Sequence, residues 1–268
     1  AFLPGAFQGT YVDPTNTKIE DIIKNIKSEF ASVRDQREQL DLLLKLNNVH
    51  KNKRQDDDDL EARIKSFELA YRMQTDAREA FDVSLEKPET ITKYGDNPQG
   101  RQMLIARRLL ERDVRFVQVW QGGWDLHNGI AQRAKRNADQ LDPAIGAIID
   151  DLKERGLFED TLIYITSEFG RSVTEDGGGG RSHNARALST VLLGGGVKGG
   201  IAYGETDELG GAAVKDKAHV KDIHATVLDL LGFDHEQLTF NTAGRDFRLT
   251  QATNSLPQGG TPIKGIMS

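Results

Sequence analysis

Three short segments carry the side chains best suited to chemistry. In "GGWDLHNG", residues 122–129, Asp125 and His127 stand two apart. In an extended stretch, alternate side chains point the same way, which puts this carboxylate and imidazole on one side. Such a pair is half of a first-row metal site. The competing reading makes Asp125 a helix cap before Ile130 and His127 a packing residue, and spacing alone leans toward it. In "ITSEFGRS", residues 165–172, Glu168 lies at the end of an expected strand with Phe169 beside it and Arg171 close behind. Glu168 suits a metal. The competing reading is a surface pair with Arg171, which would contribute little to stability.

The third segment, "GGGGRSHNA", residues 177–185, brings Arg181 and His183 behind a glycine run. Glycine lets backbone approach a ligand closely. No Gly-Lys-Ser/Thr follows, so this is not a phosphate-binding P-loop. Taken alone, His183 reads as a loop histidine. Arg171 and Arg181 suit anion contacts, because a guanidinium matches the oxygens of phosphate or sulfate; pairing with Glu168 or Glu175 is an equal alternative. His50, His219, His224 and His235 have weaker surroundings. Ser167 and Ser182 lack a Gly-x-Ser-x-Gly elbow. Trp120 and Trp124 are expected to pack near a sheet end.

The elements that must position these residues fall into two regions. Residues 1–97 read as a helical segment and 98–268 as an α/β portion, together part of one larger domain. Residues 1–17 read as irregular. Apolar positions recur at helical spacing from Ile19 to Leu46, and Asp56–Asp59 suit the start of a second helix reaching about residue 81. Residues 86–99, with two prolines and a glycine, read as a loop. Beyond residue 100, helices are expected over 103–112, 130–155 and 222–231. Strands are expected over 114–120, 161–166 and 188–193. Alternating strands and helices predict an α/β fold with a mostly parallel sheet and helices on both faces. Ligands would then bind beyond the carboxyl ends of the strands.

Composition narrows the function classes. The 268 residues hold 35 Lys+Arg against 41 Asp+Glu, a net charge of −6, which argues against a nucleic-acid partner. There is no cysteine, so disulfides, iron–sulfur clusters, thiolate zinc sites and cysteine nucleophiles are excluded. No apolar run approaches the ~18 residues of a membrane helix.

Longer strings carry a resemblance. "GLFEDTLIYITSEFGRS", residues 156–172, is similar to the segment of the sulfatase and alkaline-phosphatase-like superfamily that leads into two metal ligands. "KDIHATVLDLLGF", residues 221–233, looks like a late helix of that superfamily. "RRLLERDVRFVQVWQGGWDLH", "GRSHNARALSTVLLGGGVKGG" and "LTFNTAGRDFRLT" resemble a mostly exported bacterial branch of it, a sulfatase-like domain of unknown function. The resemblance spans nearly the whole chain and implies an alkaline-phosphatase-like fold.

It also implies a metal-dependent hydrolase of phosphate or sulfate esters, acting on a small molecule or a glycan. By motif order one metal would be held by Asp125, His127 and His183, and zinc or manganese suits that donor set. The second metal's Asp-His pair falls on Glu168 and Phe169. Glutamate can replace aspartate, but phenylalanine has no lone pair to donate. The nucleophile strand is expected upstream of Ala1, so the chain resembles the carboxyl-terminal part of a longer protein, and a periplasmic or secreted location is implied. The alternative is a non-catalytic binding or assembly protein with a degenerate metal site.

Overall fold

The computed structural model describes residues 9–13, 16, 18–22, 30–51, 68, 71, 78–242, 244–251 and 259–268. The helix expected from Asp56 to about residue 81 lies largely outside the described residues. The chain divides into two compact units. One comprises Ala1–Gln121 with Asp139–Ile148, the other Gly122–Ala138 with Ile149–Ser268.

The first unit is helical: α1 (Ile19–Ile22), α2 (Val33–Lys51), α3 (Pro88–Tyr94) and α4 (Pro98–Leu110). Helix α3 replaces the loop expected over 86–99. Its proline is the first helical residue, where the missing N–H costs nothing, so Pro88 starts a helix rather than breaking one. Helix α4 starts the same way. Pro98 is at the first turn and the Asn97 side chain accepts from the N–H groups of Gln99 and Gly100. The core of this unit gathers Ile22, Phe81 and Ile105, with Val12, Ile19, Val83 and Leu109 packed against it.

Two arginines fasten α4 to the segment before α3. Arg107, buried, pairs with Glu86 at 2.9 Å and Glu111 at 2.8 Å. Arg108 pairs with Glu86 and donates to the carbonyls of Ala80 at 3.1 Å and Glu79 at 2.6 Å.

The segment 114–120, expected as a strand, forms no ladder among the described residues, and Phe116 and Trp120 are exposed. An alternating apolar run gives a segment the capacity to pair; it does not supply the partner. The expectation that Trp120 packs at a sheet end is corrected with it.

The second unit contains the strands. β1 (Leu162–Ile165) pairs with β4 (Val191–Gly194), β2 (Gly170–Asp176) with β3 (Gly180–Asn184), β5 (Glu205–Thr206) with β6 (Ala213–Lys215), and β7 (Thr239–Thr242) with β8 (Arg245–Arg248). Each pair is a separate two-stranded antiparallel sheet. This overturns the mostly parallel sheet covered by helices. Parallel neighbours need a crossover, usually a helix. Between β1 and β4 the chain makes only the β2–β3 hairpin, and Ile165 aligns with Val191 as the chain runs back.

Two helices complete this description: α5 (Ile130–Glu154) and α6 (Val220–Leu230). His219 is the N-cap of α6. Its ring accepts from the Lys221 N–H at 3.3 Å, and the Asp222 carboxylate accepts from the His219 N–H at 2.7 Å. His224 is exposed on that helix. His235 is buried and bonds Thr250 Oγ1 at 3.0 Å. No helix among the described residues is long and apolar enough to cross a membrane.

Candidate metal centre

The site is built in the second unit, where a loop is zipped to the tip of a hairpin. β2 and β3 turn through Gly177–Gly179, with Gly178 and Gly179 in left-handed conformations at φ 79° and 78°. Only glycine enters that region freely, so the glycine run is what makes the turn. The loop before α5 then bonds to the hairpin. The Gly129 N–H donates to Gly178 O at 2.9 Å, the Ile130 N–H to Gly179 O at 3.0 Å, and the Arg181 N–H to Leu126 O at 3.0 Å. Gly180 permits this approach, since a Cβ there would overlap the His127 backbone.

Leu126 sets the direction of its neighbours. It is buried at 2 % exposure, while Asp125 and His127 on either side are exposed. The alternation expected from their two-residue spacing is therefore present. The helix-cap reading of Asp125 is replaced. The N-cap of α5 is Gly129, and no side chain caps it.

The hairpin brings the third ligand. Arg171 on β2 is aligned with His183 on β3. His183 Nε2 lies 2.9 Å from Asp125 Oδ1 and 3.2 Å from His127 Nε2, and His127 Nε2 lies 3.0 Å from the same Oδ1. An ion bonded to all three donors at ~2.0–2.1 Å holds them roughly 3 Å apart. The triad therefore has the donor types and the spacing to hold one ion. All three residues are exposed, so an ion and its ligand can reach them.

Neighbouring groups set the charge. Hydrogen bonds from His183 and Arg171, with the charge of His127 behind them, hold Asp125 down at about 2. The Asp176 carboxylate, 2.6 Å from His127 Nδ1, raises the His127 imidazole above its ordinary value. Asp176 in turn is lowered by its bonds to His127 and to Ser182. Asp176 was not among the residues expected from sequence. Its signal was its place just before the glycine run, on a hairpin whose other strand carries His183.

The remaining expected residues divide. Arg171 reaches the triad, donating to Asp125 Oδ1 at 2.8 Å, Arg181 O at 3.2 Å and Trp124 O at 3.3 Å. Arg181 donates instead to Gly180 O at 2.7 Å. Glu168 is exposed and outside the ligand cluster. The Phe169 ring packs against His183, centroids 4.2 Å apart at 37°, with the Arg171 guanidinium 5.7 Å from the Phe169 centroid.

Comparison with known proteins gives one family. Residues 1–258 match the family described as "Protein of unknown function (DUF1501)", and the chain belongs to it. No curated protein and no solved structure shows a significant match.

Proposed function

We propose that this chain binds one divalent first-row metal ion through Asp125, His127 and His183 and hydrolyses a phosphate or sulfate ester beside it. The observation that carries this reading is the convergence of one carboxylate oxygen and two imidazole nitrogens within 2.9–3.2 Å. Two imidazoles and a carboxylate suit zinc or manganese. When bound, such an ion acts as a Lewis acid that stabilises the negative charge developing on an ester oxygen. Arg171 would meet the anion, since its guanidinium already borders the triad.

The likeness of residues 156–172 and 221–233 to sulfatase-like segments supports the ester class. It also supports a small-molecule or glycan substrate and an exported location. A second reading is favoured by one observation: Phe169, at the position where the resemblance puts the second metal's histidine, packs its ring against His183 and offers no donor. In that reading the single metal holds a binding or assembly surface and no ester is cleaved.

Chromogenic aryl phosphate and aryl sulfate assays distinguish the two. They are run on metal-loaded wild type, Asp125→Ala and His183→Ala. Hydrolysis present in wild type and lost in both variants supports the enzyme. A bound ion with no hydrolysis of either ester contradicts the enzyme and leaves the binding protein.

A further inference from the structure

A neutral imidazole has one N–H and one lone pair, on different nitrogens. His127 can offer Nε2 to a metal only when its proton is on Nδ1. That tautomer needs an acceptor at Nδ1, and it has one in Asp176 Oδ2 at 2.6 Å. Asp176 is itself held. It ends β2, aligned with Gly180, and it takes a hydrogen bond from Ser182 on β3. The bonds that the Gly129 and Ile130 N–H groups donate to the Gly178 and Gly179 carbonyls bring this end of the hairpin to His127.

We infer that Asp176 is a positioning residue, which fixes His127 in the Nδ1–H tautomer and aims its Nε2 lone pair at the metal. The inference rests on the metal reading above and assigns a role to a residue that touches no metal. Carboxylate–histidine–metal relays of this kind fix ring orientation and raise ligand basicity. Asp176 has the further duty of bonding across the hairpin, so its loss could act through strand geometry alone. Ser182 distinguishes the two routes, because its hydroxyl shares the cross-strand bond but does not touch the imidazole contact.

The test is zinc titration by calorimetry together with ring-nitrogen NMR of metal-free protein, on wild type, Asp176→Ala, Asp176→Asn and Ser182→Ala. Asp176→Ala is expected to weaken zinc by about 10–100-fold. It should also shift the His127 proton from Nδ1 toward Nε2. Asn, whose amide oxygen still accepts, should restore the Nδ1–H tautomer and much of the affinity. Ser182→Ala should stay near wild type in both readouts. Wild-type zinc affinity and tautomer in Asp176→Ala would overturn the inference. So would equal losses in Asp176→Ala and Ser182→Ala, which would mark a hairpin effect. Zinc binding absent from wild type would instead remove the metal reading, while the tautomer is still read without metal.

Discussion

Arg171 donates to Oδ1 of Asp125 at 2.8 Å, and the same oxygen is 2.9 Å from His183 Nε2 and 3.0 Å from His127 Nε2. One carboxylate oxygen thus faces a guanidinium and two imidazoles. A dication bonded there would be repelled by the fixed charge of Arg171, and an anion would be drawn to it. The Arg171→Gln variant should therefore bind zinc or manganese several-fold more tightly and bind inorganic phosphate less well. Calorimetric titrations with each metal and with phosphate check both. Unchanged affinities would show that Arg171 is a surface partner only.

Gly180 lies where the hairpin meets the loop before α5, and a Cβ there would overlap the His127 backbone. The Gly180→Ala variant should separate the loop from the hairpin and lose at least about 10-fold in metal affinity, as loss of ligand support does. Gly177 is the control. Nothing lies within 4 Å of a Cβ added there, and its φ is outside the left-handed region. Gly177→Ala should bind metal like wild type, as read by the same titration.

Glu86 should contribute to the pH dependence of stability in the helical unit. Burial pushes its carboxyl up, but hydrogen bonds from Arg107 and Arg108 outweigh burial and hold it below the ordinary 4.5. A carboxylate lowered in this way contributes stability that is fully present above its unfolded value and is lost as pH falls through its folded one. Thermal melts of chelator-treated protein should lose midpoint temperature as pH drops below about 4.5. Glu86→Gln should remove that Glu86 contribution and be less stable near neutrality by about 3–5 kcal/mol. The lower end is expected, because Glu111 still pairs with Arg107. Equal melting profiles for wild type and variant would contradict this.

Residue types made the triad legible and pairing made the fold illegible. Asp125 and His127 could be paired by their two-residue spacing, because the period of an extended chain is local. His183 joined them only through resemblance, since the hairpin that carries it is tied to the loop of Asp125 and His127 by bonds between residues some fifty positions apart, such as the Gly129 N–H to Gly178 O. Asp176 was missed for the same reason. The strand expectations at 161–166 and 188–193 located β1 and β4 within a few residues. Their direction was misread, because apolar content does not record whether the intervening chain crosses over or doubles back. Pro88 was misread as a breaker, since the same residue ends one helix and opens another.

Metal stoichiometry tests the central claim most directly. Elemental analysis after loading with zinc or manganese and removal of excess ion should find one ion per chain in wild type. Asp125→Ala and His183→Ala should retain almost none, whereas Glu168→Ala, altered outside the ligand cluster, should retain the ion. No bound ion in wild type, or full occupancy in Asp125→Ala and His183→Ala, would contradict the account.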